Sequence, residues 1–215
     1  MTNITVLGGN GYTGGAVVAE ALKRGHSVTV VSRSEPGSPL AGVSYLTGSA
    51  LDPAVLDKAF EGADVVVTAT TSRGEASQAA PEIAAGLVER AADTGARIVV
   101  VGGFSSLRPS ADAPRIIEGG VPEPYREEAE AGHASLEALL GAPTAVNWTF
   151  VSPGAQYGSW IPGEAAGAYR LSGDVAILDD EGSSVLYAED LALAILDVIE
   201  SGEHAREHVS VVSGA

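Results

Sequence analysis

The sequence predicts an α/β protein built on a doubly wound parallel sheet with helices on both faces. Three observations carry this. Short β-branched runs alternate with longer helical patterns, as in successive βαβ units. The runs are apolar without polar alternation, which suits strands covered on both faces. Finally, 27 glycines and 5% aromatics in 215 residues suit tight strand-to-helix turns and close helix-on-sheet packing. With 45% hydrophobic residues, 19% charged residues and a mean hydropathy of +0.17, the chain can bury a full core.

In chain order, Ile4 to Leu7 reads as the first strand, Ser27 to Val31 as the second and Val43 to Thr47 as a short third. Asp64 to Thr68, Arg97 to Val101 and Asn147 to Val151 follow as the fourth to sixth. Helices are expected over Thr13 to Arg24, Pro53 to Phe60, Ala76 to Thr94, Arg126 to Leu140 and Glu189 to Ser201. Pro53 and Pro81 stand in first turns, where a missing N–H costs nothing, and Gly25 and Gly95 follow their helices as C-terminal glycines. Lys23 and Arg24 complement the negative end of the first helix. Leu191, Ile195 and Val198 recur at helical spacing, so that face of the last helix should be core.

Two segments break the rhythm, each after a strand's carboxyl end. Residues 105–124 hold Pro109, Pro114, Pro122 and Pro124, too many for helix or central strand, and should form an ordered excursion or a lid. Residues 152–164 form the second, opening a substrate-side stretch that reaches 187 and a small C-terminal lobe. No repeat or linker divides the chain, so residues 1–215 read as one domain. Ligands of open α/β sheets bind outside the strands' carboxyl ends, which places the pocket between these two loops.

Twelve Lys and Arg against 28 Asp and Glu leave a net charge of −16, a field that repels phosphate backbones and anionic lipid. Nucleic acid and membrane are therefore not expected as partners. The absence of cysteine excludes disulfides, thiolate metal sites and a Cys nucleophile. It also fits a cytoplasmic protein. Met1-Thr2-Asn3-Ile4 lacks a basic leader, and no apolar run approaches the roughly 18 residues of a spanning helix. A monomer or homodimer acting on a small-molecule acceptor is the expectation. No His/Asp/Glu spacing suggests a metal site.

The sharpest feature is Gly8-Gly9-Asn10-Gly11-Tyr12-Thr13-Gly14-Gly15, directly after a strand and opening a helix. Gly9-x-Gly11-x-x-Gly14 matches the dinucleotide fingerprint, and Gly8-x-x-Gly11-x-x-Gly14 the looser spacing of short-chain dehydrogenases. In either frame the backbone can approach a pyrophosphate, and the helix N-terminal N–H groups can receive it. An NAD site normally ends its second strand in Asp or Glu, which binds the ribose 2′-hydroxyl. Here the strand ends Ser32-Arg33-Ser34, a guanidinium and two hydroxyls suited to a 2′-phosphate, so NADP is expected, with NADPH preferred over NADH. A solvated Arg33 paired with Glu35 is the alternative.

With these residues and the block Val101-Gly102-Gly103-Phe104-Ser105-Ser106-Leu107, the sequence resembles the NAD(P)H-binding atypical short-chain dehydrogenases of the NADH-flavin reductase subgroup. Biliverdin reductase B and NmrA-like proteins are its relatives. Pro122 to Tyr125, Trp148 to Pro153, Gly167 to Leu171 and Tyr187 to Asp190 extend the resemblance over nearly the whole chain. It implies a Rossmann-like fold, with Gly8, Asn10, Gly11, Tyr12 and Thr13 cradling the pyrophosphate and Arg33 on the 2′-phosphate. Ala69 and Thr70 would border the ribose, and Gly102, Gly103 and Pro153 the nicotinamide.

The departures bear on mechanism. Short-chain dehydrogenases protonate a carbonyl through Tyr-x-x-x-Lys, but Tyr125 is followed by Arg126-Glu127-Glu128-Ala129, and the only lysines are Lys23 and Lys58. Flavin relatives place a serine where Gly103 stands, so only Ser105, Ser106 or Tyr125 is left to supply a catalytic hydroxyl. Hydride transfer to FMN or FAD needs orientation more than a proton donor, which keeps flavin reduction open. Phe104, Gln156, Tyr157 and Trp160 are the substrate-pocket candidates. Tyr157 and Trp160 would either wall a flat ring or plug the small lobe. Ser106, Glu130 and His133 lack the elbow of a hydrolase, so His133 reads as a surface residue. An NmrA-type NADP sensor without turnover, or a reductase or isomerase of one biosynthetic intermediate, are the other readings.

Overall fold

The fold was established from a computed structural model, which describes residues 1–70 and 79–214. Eight strands form one sheet: β1 (Asn3–Leu7), β2 (Ser27–Ser32), β3 (Val43–Thr47), β4 (Val65–Thr68), β5 (Arg97–Val101), β6 (Trp148–Pro153), β8 (Tyr169–Ser172) and β10 (Glu207–Ser213). Their order is β3-β2-β1-β4-β5-β6-β10-β8; all neighbours are parallel except β10 and β8. Strand order reverses between β1 and β4, so the glycine turn after β1 sits at the topological switch point, where such sheets open a crevice.

Helices α1 (Tyr12–Lys23), α2 (Pro53–Phe60), α3 (Ala80–Thr94), α4 (Glu123–Leu140) and α5 (Ala188–Ser201) cover both faces. Ile4, Val6, Val65, Val67, Val99, Val151, Val209 and Val211 pack with α1 and α5 on one side. Leu7, Val66, Ile98, Val100, Trp148 and Phe150 pack with α2, α3 and α4 on the other. Successive side chains point to opposite faces, and both faces are core, hence the missing polar alternation. Leu191, Ile195 and Val198 are buried, as their spacing requires. Gly95 caps α3 at φ 77°, and Gly25 follows α1 at φ 80°.

The expected start of the fourth helix needs revision, and part of the third falls outside the described residues. Residues 76–78 of the expected third helix lie outside the described residues, and α3 is described from Ala80. α4 begins at Glu123 and not Arg126, with Pro122 as its N-cap and Pro124 in its first turn, where proline is tolerated. The 105–124 excursion is ordered by two 3₁₀ turns, Phe104–Ser106 and Ile116–Gly119, and by a bridge from Arg108 to Val175. The residues beyond 152 divide: β10 and β8 extend the main sheet, while β7 (Gln156–Tyr157) and β9 (Val185–Leu186) form a separate two-stranded sheet. His208 is buried within β10. Among the described residues no helix is long and apolar enough to cross a membrane.

Candidate functional site

β1 ends in the glycine turn because only glycine satisfies its geometry. Gly8 adopts φ 81°, and a Cβ there would lie 2.8 Å from the Ala69 carbonyl oxygen. A Cβ at Gly14 would lie 2.2 Å from the Gly8 carbonyl oxygen, so α1 can approach its own turn only as glycine. Gly11 is the N-cap of α1 and its N–H donates to the Gly8 carbonyl at 2.9 Å. The Gly8/Gly11/Gly14 frame thus carries the backbone constraint. Gly9 meets only the side chain of Val30, at 2.7 Å.

The turn is fastened at both ends. Asn10 donates to Ser32 Oγ at 2.8 Å and to the Ser34 carbonyl at 3.1 Å, and Ser32 Oγ donates to that same carbonyl at 2.5 Å. These bonds fix the end of β2, from which Arg33 projects with no ion pair to Glu35 among the described residues. On the other side Thr13 Oγ1 and Tyr157 Oη lie 2.6 Å apart, and the Tyr12 and Tyr157 rings meet at 5.6 Å. Burial raises the pKa of both phenols, with a further rise from the Glu189 carboxylate, so both stay neutral hydrogen-bonding groups.

A continuous cavity of about 1070 Å³ runs along the carboxyl ends of the strands. It is lined by Gly8, Asn10, Gly11, Tyr12, Thr13, Ser32, Arg33 and Ser34 at one end, Ala69 and Thr70 in the middle, and Gly102, Gly103 and Pro153 beyond. Phe104, Ser105, Ser106, Tyr125, Tyr157 and Trp160 line it too. Every candidate drawn from the sequence therefore meets there except Gln156, an exposed residue of β7 whose N–H is taken by the Ser184 carbonyl. Tyr157 lines the cavity half-buried and is also bonded to Thr13, so it steadies the glycine turn as well. Trp160 is 60% exposed and Tyr125 62%, so these two give the far end its aromatic rim. Trp160 lies over Gly158, where a Cβ would meet its ring at 2.3 Å. The loop behind it is pinned by Tyr187 Oη donating to Pro162 and by the buried Asp190 carboxylate accepting from Ala166 and Gly167.

Of the catalytic candidates, Ser106 is 1% exposed and its carbonyl is taken by Arg115, while Ser105 is half-buried. No lysine lines the cavity among the described residues, so Tyr125 has no Tyr-x-x-x-Lys partner there. His133 lies on α4, 3.8 Å from Glu137. Sequence reasoning missed the buried set Arg115, Ser152 and His208 beneath Gly103. The only signal was the alternation of Glu207-His208-Val209-Ser210-Val211, which reads as a strand.

The geometry fits a dinucleotide: added methyl groups would fill the cradle at Gly8 and Gly14, and a cationic end at Arg33 adjoins two hydroxyls. Residues 8–201 match a family described as NAD(P)H-binding. The uncharacterised protein YwnB of Bacillus subtilis is 30% identical, with 99% of each chain covered. A Streptococcus pneumoniae protein provisionally called an NADH-flavin reductase superposes with a TM-score of 0.88 at 29% identity over all of both chains. A Veillonella parvula short-chain dehydrogenase/reductase, solved in complex with NADP, shares the fold at 19% identity and a TM-score of 0.71, covering 100% of this chain and 95% of that one.

Proposed function

As the chain belongs to the NAD(P)H-binding family, we propose that it is a reductase preferring NADPH over NADH that reduces a flavin or another flat conjugated acceptor. The observation that carries this is one continuous cavity with a guanidinium and hydroxyls at one end and an aromatic rim at the other. A cavity of about 1070 Å³ lies just above the usual range for single-ligand sites, which suits a cofactor and an acceptor together. When bound, the reduced nicotinamide supplies the hydride. Gly8 and Gly11 bring backbone close to the pyrophosphate, and Thr13, steadied by Tyr157, offers it a hydroxyl. Arg33, with the Ser34 hydroxyl beside it, would discriminate the 2′-phosphate, while Ser32, whose proton goes to the Ser34 carbonyl, holds that strand end in place. Gly102, Gly103 and Pro153 line the part of the cavity that would hold the nicotinamide, and Trp160 with Tyr125 would offer the acceptor a stacking surface that orients it and sheds water.

Isothermal titration with NADPH and NADH, followed by absorbance at the reduced nicotinamide band after adding FMN, tests the reading. Tight NADPH binding with flavin-dependent loss of absorbance is the expected result. Binding without turnover would replace the reductase with an NmrA-type sensor, the reading that Gly103 in the place of a serine favours. Arg33→Ala should weaken NADPH by about tenfold or more and leave NADH nearly unchanged, since only the 2′-phosphate contact is lost. Equal losses for both nucleotides would remove Arg33 from that role.

A further inference from the structure

We infer that Arg115, His208 and Ser152 form a buried clamp that positions the Gly103–Ser106 turn, the wall of the cavity where hydride transfer is proposed. The inference rests on the proposed reductase reading for its catalytic consequence and on the geometry alone for the clamp. Ser152 Oγ donates to the Gly103 carbonyl at 2.8 Å and lies 2.8 Å from His208 Nε2. The serine has a single proton, and Gly103 takes it, so Nε2 must carry the hydrogen of that second bond. Nδ1 is then the acceptor, and it faces Arg115 Nη1, a donor, at 3.1 Å. The same Nη1 donates to the Ser106 carbonyl at 2.6 Å, and Nη2 pairs with Asp174 at 3.3 Å.

The two carbonyls so held are the two ends of the 3₁₀ turn Phe104–Ser106 that lines the cavity. Every donor in the chain has one acceptor, and a reversed imidazole would oppose two donors at Nδ1. The ring is also fixed in position, edge to face with Phe150 at 5.0 Å. Phe150 in turn fills the space where a Cβ at Gly102 would lie, 2.0 Å away. Burial and the nearby Arg115 push the His208 pKa down to about 3, in keeping with a neutral ring in one tautomer. Since β10 joins the sheet beside β6, the clamp ties the wall of the site to the two strands behind it. None of the three side chains need touch cofactor or acceptor, so all are positioning residues.

His208→Phe keeps the ring volume and removes both bonds, His208→Gln can rebuild an acceptor toward Arg115 and a donor toward Ser152, and Ser152→Ala breaks only the last link. Amide hydrogen exchange of the Gly103–Leu107 peptides, with NADPH titration and FMN reduction on the same samples, reads the outcome. Expected are exchange about tenfold faster in that peptide for His208→Phe and Ser152→Ala, kcat lower by about tenfold, an NADPH dissociation constant within about twofold, and recovery in His208→Gln. Unchanged exchange in Ser152→Ala, exchange raised over the whole molecule, or His208→Gln as impaired as His208→Phe would each overturn the clamp. If the wild-type protein does not reduce FMN, the reductase reading fails on its own, and the exchange data still decide the clamp.

Discussion

Arg33 and His208 illustrate how differently single residues disclose themselves. Arg33 stands at the end of a strand, next to the glycine turn in every βαβ reading, so its chemistry is legible from its place in the chain. His208 means nothing alone: its partners Ser152 and Arg115 are 56 and 93 residues away in sequence, and only the sheet brings them together. Its environment has a thermodynamic sign. Burial first, then the Arg115 charge, lowers its pKa to about 3, with Asp174 opposing and His133 and Arg108 adding to the fall. The unfolded chain therefore binds the proton at a higher pH than the folded one. Stability from this group is complete above about pH 6.5 and falls as pH drops toward 3. Between pH 7 and pH 5 the loss should be about 2 kcal/mol. Denaturant unfolding at the two pH values should show that increment in the wild type, and His208→Gln should lack it. An equal pH response in both proteins would mean that His208 is already charged in the fold.

Among the elements, those with local grammar were legible and those dependent on tertiary pairing were not. α2 announces itself with Asp52, whose carboxylate accepts from the Ala54 N–H, followed by Pro53. The start of α4 was obscured because four prolines suggested loop, although two of them only open a helix. β10 was missed because His208 and Ser210 are buried by pairing with β6 and β8, strands distant in the chain, and nothing local announces that pairing. The glycine turn was legible in spacing but not in which glycines are needed, and that makes a paired prediction. Gly14→Ala puts a methyl group against the Gly8 carbonyl and should abolish NADPH binding or folding. Gly15→Ala, whose Cβ would meet nothing nearer than 3.7 Å, should raise stability by up to about 1 kcal/mol and preserve binding. Thermal melts and NADPH titration of the two variants separate them. Similar behaviour of both would show that the turn tolerates a side chain at either place.

For the molecule as a whole, the doubly wound sheet and the end that carries the cavity followed from the order of strand and helix patterns alone. What that order did not show was how the chain's last strand closes the sheet behind the site, since β10 enters between β6 and β8. The whole-molecule charge gives a kinetic expectation. A protein of net charge −16 repels an anionic nucleotide at distance, and salt screens that repulsion beyond about 8 Å at physiological strength. Stopped-flow association of NADPH should therefore speed up, by about two- to threefold, as salt rises from about 20 to 200 mM. A slower association at high salt would mean that the local field of Arg33 governs the approach. The run of the helices has a practical side as well. α1 and α2 begin at the cavity end of the sheet and finish at the other, with Lys23 and Lys58 in their last turns. These are the only lysines, and the chain has no cysteine, so an amine-reactive sensor chip grips the molecule by the end remote from the cavity and leaves its mouth facing the solution.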